Sequence, residues 1–166
     1  MGSVETVTPA ALVRSLLERL NDRDADALGV FYAEEVVETW PVVGRVERRK
    51  AVQDQFAGFF AAMPDFHVEV ERMAADGETV FAQWHLTGTL TGAPFLGIEA
   101  TGRAIDLRGT DCFTVRDGKV VAGFVAYDGI TFAVQAGILP AHGSPVGRAM
   151  TVVTNVMTCV KNTLGR

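Results

Sequence analysis

The chain has 166 residues, of which 48% are hydrophobic and 21% charged, and its formal net charge is −5 at pH 7. This composition excludes a disordered segment and a strongly basic chain, so we expect one globular unit without nucleic-acid or membrane partners. The two cysteines, Cys112 and Cys159, are too few for a disulfide framework or a zinc site. Together with a segment Met1–Pro9 that lacks a signal-peptide layout, they favour a cytoplasmic protein.

Helices are predicted in the first part of the chain. Thr8 as a cap and Pro9 in the first turn predict the start of a helix that continues to the break at residues 21–24. A short second helix is predicted to include Tyr32. A brief strand, Val36–Trp40, then precedes a third helix over Arg48–Met63.

Strands dominate the middle of the chain, where apolar and polar residues alternate. Four strands are predicted, over residues 66–71, 79–90, 104–115 and 119–128. Asp76-Gly77 and Asp117-Gly118 are hairpin turn signals, Thr91–Thr101 is a loop, and a short helix follows over Ile130–Ala136. Helices followed by an antiparallel meander predict an α+β fold, a cone-shaped curved antiparallel sheet wrapped over the N-terminal helices. Such a sheet leaves a cavity for a small apolar molecule.

The last segment has a different pattern. We expect residues 1–140 to form the domain and residues 141–166 to form a C-terminal helical extension. Its apolar residues follow at intervals of four and three: Val146, Met150, Val153, Met157, Val160 and Leu164. This stripe predicts a helix that packs either on its own domain or on a partner subunit. The chain as a whole is expected to form a homodimer.

Two carboxylates are candidate catalytic groups. Asp111 is the polar exception on an apolar strand face that includes Leu107 and Phe113, and Asp128 shares a face with Phe124 if the last strand alternates strictly. Because the Asp117-Gly118 hairpin makes these strands neighbours, both carboxylates are expected to face one cavity. A dry pocket would raise and separate their pKa values, as acid–base chemistry requires. The alternatives are a helix-capping role for Asp128 and a structural role for Asp111.

Several short motifs occur in an order that resembles the nuclear-transport-factor-2-like superfamily, and within it the SnoaL-like polyketide cyclases. They lie between Gly44 and Pro140 and are Met63-Pro64-Asp65, Gly88-Thr89-Leu90-Thr91-Gly92, Thr101-Gly102-Arg103, Phe113-Thr114-Val115-Arg116-Asp117-Gly118-Lys119, Tyr127-Asp128-Gly129 and Gln135-Ala136-Gly137-Ile138-Leu139-Pro140. The resemblance implies ring closure by intramolecular aldol condensation without a cofactor, with Asp128 at the position of the family's acid–base aspartate. The segment around Asp111 also resembles the one that holds the oxyanion-stabilising aspartic acid of ketosteroid isomerases.

The chain departs from these families at other positions. Trp40 stands before Pro41 where ketosteroid isomerases carry their general base, and Leu16 replaces their tyrosine. The last strand reads Ala122-Gly123-Phe124 where many cyclase relatives have Glu-His-Trp, and Leu90 stands where they often have histidine. The arginine-x-aspartate of limonene-epoxide hydrolases is not visible in Gln83-Trp84-His85-Leu86. These departures make the expected pocket more apolar.

The sequence therefore predicts a cofactor-free and metal-free cyclase or isomerase, with lyase chemistry included. It would act in natural-product biosynthesis on an apolar polyketide-, terpenoid- or steroid-like carbonyl compound. Asp128 and Asp111 are the predicted catalytic residues. The predicted pocket wall is Trp40, Tyr32, Phe124, Tyr127, Phe56 and Trp84. The alternatives are a non-catalytic binder of an apolar ligand, an epoxide-hydrolase-like activity, and an assembly module that uses the C-terminal stripe.

Overall fold

The computed structural model describes residues 7–141 and 143–164, so most of Met1–Pro9 and the side chains of Cys159 and Leu164 lie outside it. The helices are α1 (Pro9–Arg19), α2 (Arg49–Ala62), α3 (Gly129–Gln135) and α4 (Pro145–Leu164), with single 3₁₀ turns at Leu20–Asp22 and Ala27–Val30. The strands are β1 (Tyr32–Trp40), β2 (Gly44–Glu47), β3 (His67–Asp76), β4 (Thr79–Thr89), β5 (Ala104–Arg116) and β6 (Lys119–Tyr127). Among these helices, none is long and apolar enough to cross a bilayer.

The six strands form one curved, unclosed sheet in the order β2-β1-β6-β5-β4-β3. This architecture confirms the predicted α+β fold. The sheet is not wholly antiparallel, however, because β1 runs parallel to β6 and all other neighbours are antiparallel. Strand β1 comes before α2 in the chain, yet in the sheet it lies beside β6, the last strand. This parallel pair joins the β2-β1 hairpin to the four later strands.

The prediction for the region around Tyr32 is wrong. The short 3₁₀ turn ends at Val30, and Tyr32 begins β1, which is longer than the predicted Val36–Trp40. The pairing of β1 with β6 shifts register between Tyr32 and Val37, so this part of the strand does not follow a clean period of two. Strand β2 was missed because it is four residues long and buries only Val46.

The core lies between one face of the sheet and helices α1 and α2. Thr8 caps α1 as predicted, since its hydroxyl accepts a hydrogen bond from the Ala11 amide at 3.2 Å. The inward stripe of α1 consists of the buried residues Leu12, Val13, Leu16 and Leu17. Each such side chain contributes about 1.5–3 kcal/mol on burial, so the stripe holds α1 against the sheet far more strongly than helix propensity does.

A bulge near the start of β6 decides which of its side chains face the core. The pairing shifts register between Thr114 and Val115, so that Val115 pairs with Val120 but Thr114 pairs with Ala122. The extra residue reverses the alternation. Val120 is buried before the bulge, whereas Val125 and Tyr127 are the residues that face inward after it.

Gly123 lies on this inward face of β6, directly beside Glu38 of β1. A Cβ atom at position 123 would come within 2.7 Å of the Glu38 Oε1 atom and 2.9 Å of its Cγ atom. Contacts this short do not occur in relaxed structures, so the missing side chain gives the Glu38 carboxyl group its space.

We expect Gly123→Ala to destabilise the fold by about 1–3 kcal/mol, because the added methyl group must displace the buried Glu38 side chain. Urea unfolding followed by circular dichroism measures the change. Gly129→Ala is the matched control, since a Cβ atom there meets no atom within 4 Å. An equal loss of stability in the two variants would contradict this account of Gly123.

Candidate active site

A cavity lies between helices α1 and α2 and the inward face of the sheet. It is lined by Leu16, Leu17, Leu20, Tyr32, Glu38, Trp40, Phe56, Phe59, Met63, Phe66, Val68, Trp84, Leu86, Ile105, Leu107, Asp111, Phe113, Val125, Tyr127 and Phe132. The centres of water-sized molecules can occupy about 70 Å³ of it. Its lining is apolar apart from two carboxyl groups, two tyrosine hydroxyls and two indole N–H groups, so these groups determine its chemistry.

Glu38 is the site residue that the sequence prediction missed. It lies on β1 between Val36 and Trp40, and all three side chains are buried. Its Oε2 atom accepts a hydrogen bond from the Trp40 indole nitrogen at 2.7 Å. Its Oε1 atom is buried without a hydrogen-bond partner among the described residues. A buried acceptor without a partner costs about 1–3 kcal/mol, which marks it as a point where a ligand or a proton binds.

Asp111 lies in the cavity, as the alternation along β5 predicts. Every second residue from Ile105 to Val115 is buried on this face, and Asp111 is one of them. Its Oδ1 atom, like the Glu38 Oε1 atom, is buried with no partner in the described part of the chain. Gly109, two residues earlier on the same face, leaves room for the indole ring of Trp84. Trp84 is positioned in this way beside the Asp111 carboxyl group.

Burial raises the pKa values of both carboxyl groups. Loss of solvation raises the pKa of Glu38 to about 7, although hydrogen bonds from Trp40 and Tyr32 partly oppose it. Loss of solvation also raises the pKa of Asp111 to about 8; a hydrogen bond from Trp84 opposes this rise and the nearby charge of Glu38 adds to it. The residues that line the cavity include no Lys, Arg or His. Without a cation nearby, the charged form of either acid is disfavoured.

Tyr32, which is 1% exposed, supplies a third polar group in the cavity. Burial, and after it the negative charges of Glu38 and Asp111, raise the pKa of Tyr32 well above its usual range. Its hydroxyl group therefore keeps its proton and acts as a hydrogen-bond donor. Three groups that can hold a proton thus lie together in an apolar environment, which is the usual setting of acid–base catalysis.

Most of the predicted wall residues line the cavity: Trp40, Tyr32, Tyr127, Phe56 and Trp84. The Trp40 ring centre lies 5.0 Å from that of Phe56 and 5.6 Å from that of Phe59, and the Trp84 ring centre lies 6.5 Å from that of Tyr127. The prediction for Phe124 is wrong. Its side chain is 55% exposed on the opposite face of the sheet, because the bulge in β6 reverses the alternation on which the prediction rested.

The expectation that Asp128 faces the cavity beside Asp111 is also wrong. Asp128 is exposed and caps α3, accepting hydrogen bonds from the amides of Ile130 and Thr131 at 2.9 and 3.1 Å and from the Thr131 hydroxyl at 2.6 Å. These bonds hold the pKa of Asp128 below its ordinary value. The capping alternative describes this residue, and the carboxyl group that shares the cavity with Asp111 is that of Glu38.

The sequence carried a signal for Glu38. It is the one polar residue among Val36, Glu38 and Trp40, which share a strand face, and the same reasoning identified Asp111. The predicted strand Val36–Trp40 contains all three residues, but the prediction used only Trp40, the residue before Pro41, and did not apply the alternation to Glu38. Among the described residues, no group of three or more His, Cys, Asp or Glu side chains has the geometry to hold a metal ion.

We expect Asp128→Ala to lower the free energy of unfolding by about 1 kcal/mol, since it removes the cap of α3. The pH titration of the fluorescence of Trp40 and Trp84, the two tryptophans, should stay unchanged because each indole lies beside a cavity carboxyl group. Asp128→Asn, which retains a side-chain acceptor, is the control and should lose much less stability. A shifted fluorescence titration in Asp128→Ala would show that Asp128 communicates with the cavity.

The raised pKa values of Glu38 and Asp111 predict how stability depends on pH. The folded protein holds protons that the unfolded chain releases above about pH 4, so the free energy of unfolding should be largest near pH 4–5. It should fall by several kcal/mol, as an order of magnitude, as pH rises from about 5 to 8, and should level off above pH 8. Urea unfolding at pH 5, 7 and 9 measures this slope.

The double variant Glu38→Gln, Asp111→Asn should flatten this slope because neither side chain titrates. Glu35→Gln, at an exposed position of the same strand, is the matched control and should leave it unchanged. A slope that survives the double variant would mean that other groups cause the dependence.

Comparison with known proteins places this geometry in a family. A family model described as SnoaL-like polyketide cyclase matches residues 10–136. No protein with a curated description matches the sequence significantly. A candidate SnoaL-like polyketide cyclase from Jannaschia sp. CCS1 is 21% identical, with 84% of this chain and 100% of that chain aligned and a TM-score of 0.72.

Two Streptomyces structures are also similar. AclR, a candidate hydroxylase from Streptomyces galilaeus, is 21% identical over 90% of this chain and 94% of its own, with a TM-score of 0.70. IdmH, a candidate polyketide cyclase from Streptomyces antibioticus, is 23% identical over 78% of this chain and 98% of its own, with a TM-score of 0.66. At these identities the structural matches establish the fold, while the family model covers most of the sequence. The chain therefore belongs to the SnoaL-like polyketide cyclase family.

Proposed function

We propose that the protein is a cofactor-independent cyclase or isomerase that moves protons next to a carbonyl group of an apolar substrate. The observation that carries this proposal is the pair of buried carboxyl groups, Glu38 and Asp111, each with one oxygen atom that has no partner among the described residues. This pair replaces the predicted pair of Asp111 and Asp128.

Near neutral pH the two acids together hold about one proton, so one of them can accept a proton while the other donates one. With pKa values of about 7 and about 8, the pair carries roughly one proton between pH 7 and 8. We assign the base to Glu38, the stronger acid, and the proton donor to Asp111. Two acids whose pKa values are raised and separated by their surroundings are a common arrangement in acid–base enzymes.

The proposed reaction begins with proton transfer from the carbon next to the substrate carbonyl to the Glu38 carboxylate. Asp111 donates its proton to the carbonyl oxygen, and the product of this step is a neutral enol. In a cyclisation, the enol carbon attacks a second carbonyl group of the same molecule, whose oxygen takes up the proton from Glu38. Asp111 then recovers its proton from the enol oxygen as the first carbonyl re-forms. In an isomerisation, Glu38 returns its proton to a different carbon.

The cavity wall indicates the substrate class. Aromatic and aliphatic side chains form nearly all of the lining, which favours the apolar rings of polyketide-, terpenoid- or steroid-like compounds. With no basic side chain in the lining, an anionic substrate would add a buried negative charge beside two acids. A neutral ketone avoids this cost. Both proton transfers are supplied by side chains, so the proposal requires no cofactor and no metal ion.

Hydrogen–deuterium exchange tests the reaction class without knowledge of the natural substrate. The probe is 2-tetralone, a small bicyclic ketone, and ¹H NMR in D₂O follows the loss of its signals next to the carbonyl group. We expect the protein to accelerate this exchange and Glu38→Gln to reduce the acceleration at least 100-fold, the usual contribution of a general base. Asp111→Asn should also reduce it strongly.

Asp128→Asn is the control and should exchange 2-tetralone at nearly the wild-type rate, because its side chain lies outside the cavity. Quenching of tryptophan fluorescence measures binding of the same probe. Binding with no acceleration of exchange would refute the catalytic proposal and favour a non-catalytic binder. Conversion of an apolar epoxide to its diol, again without exchange, would favour the epoxide-hydrolase-like alternative.

A further inference from the structure

Helix α4 exposes a continuous apolar face to solvent. On this face Val146, Met150, Val153, Met157 and Val160 are between 50% and 69% exposed. The helix has 20 residues, Pro145–Leu164, and is about 30 Å long. It does not pack against the sheet in the way that α1 and α2 do. The structure therefore does not show the stripe packed on its own domain.

We propose that α4 pairs with α4 of a second copy of this chain, so that a helix pair beyond the cavity domain joins two subunits. This proposal does not depend on the proposed catalytic function. It also assigns a role to residues 141–166, the predicted C-terminal helical extension.

The spacing of the stripe indicates that its partner is another helix. Intervals of four, three, four and three residues from Val146 to Val160 repeat every seven residues. A seven-residue repeat keeps an apolar seam facing a second, supercoiled helix, whereas a helix packed on a sheet has no need for this strict period. The apolar residues Val146, Met150, Val153, Met157 and Val160 form the seam of α4. Each copy carries the same seam, so two copies present matching apolar surfaces to one another.

The charges of α4 permit this pairing. The described helix contains two charged residues, Arg148 and Lys161, and no Asp or Glu. In the seven-residue repeat neither cation occupies a seam position, so two seams can meet without burying a charge. The polar face is also satisfied locally, since the hydroxyls of Thr151 and Thr158 donate to the carbonyl oxygens of Gly147 and Thr154 at 3.0 and 2.9 Å.

The size of the patch fits a reversible dimer. A face about 30 Å long and 10 Å wide covers roughly 300 Å² on each copy, so a pair buries roughly 600 Å² in total, which corresponds to a weak contact. The exposed residue Val156 flanks the seam and widens it. A helix pair of this size is below the standard interface area, so we expect a dimer whose fraction depends on concentration.

Sedimentation velocity of the full chain between 1 and 200 µM tests the proposal. We expect the wild type to shift with concentration from the 17.8 kDa monomer to a species of twice that mass. Val153→Lys, at the centre of the seam, should weaken dimerisation at least 100-fold. Asn155→Lys adds the same charge on the opposite face and should leave dimerisation unchanged. A wild type that stays monomeric at 200 µM, including one that instead binds lipid vesicles, would overturn the proposal.

A disulfide cross-link tests the pairing of α4 itself and does not require a destabilising substitution. In a parallel, in-register pair, position 153 of one copy faces position 153 of the other, because both helices present the same position of the repeat. In a background with Cys112→Ser and Cys159→Ser, Val153→Cys should form a covalent dimer under mild oxidation, and Asn155→Cys should not.

A dimer that survives Val153→Lys and gives no cross-link at position 153 would show that the copies meet elsewhere. The exposed residues Phe81 and Phe124 on the outer face of the sheet would then be the next candidates. That result would overturn the proposal for α4.

Discussion

The site depends on the burial of two carboxyl groups that have no neighbouring cation among the described residues that line the cavity. Glu38 and Asp111 face the same apolar cavity, and loss of solvation is the largest cause of the raised pKa of each. The arrangement exists because β6 lies between the strands that carry them, β1 and β5. The parallel pairing of β1 with β6 brings the two acids to within about two strand spacings, roughly 10 Å across the sheet. Without that pairing, Glu38 and Asp111 would not face the same cavity.

Neighbouring residues reduce the cost of this burial without removing it. The Trp40 indole nitrogen donates to Glu38, and Trp40 and Tyr32 for Glu38 and Trp84 for Asp111 partly oppose the rise in pKa that burial causes. Gly123 and Gly109 leave the space in which the Glu38 carboxyl and the Trp84 ring lie. Among the described residues, these contacts still leave the Glu38 Oε1 and Asp111 Oδ1 atoms without a partner. Natural proteins retain such unsatisfied groups mainly at functional sites, because stability alone would favour an apolar pair.

The sequence predicted those features that depend on a regular period. Strict alternation along β5 placed Asp111 on the inward face, and intervals of four and three predicted the stripe of α4. Prediction failed where the period is interrupted. The register shift in β6 turned Phe124 outward, Asp128 lies beyond the end of the strand as a cap, and the shift in β1 interrupted the pattern of its first residues, where Tyr32 was predicted to be helical. A bulge is a property of how two strands pair, with one extra residue on one of them, so the sequence of a single strand does not reveal it. The same limit concealed the parallel pairing of β1 and β6.

The apolar fraction of 48% has two different physical consequences in this molecule. Apolar side chains in the cavity wall contact one another even when no ligand is bound, as the packing of Trp40 on Phe56 and Phe59 shows. Those on the seam of α4 are 50% to 69% exposed in a single chain, so each forgoes on the order of 1 kcal/mol of burial energy. An empty cavity is therefore compatible with a stable monomer, whereas the exposed seam favours association. In the two proposals, ligand binding and subunit contact use separate surfaces, so a change on the α4 seam is expected to weaken the proposed dimer without altering the acids in the cavity.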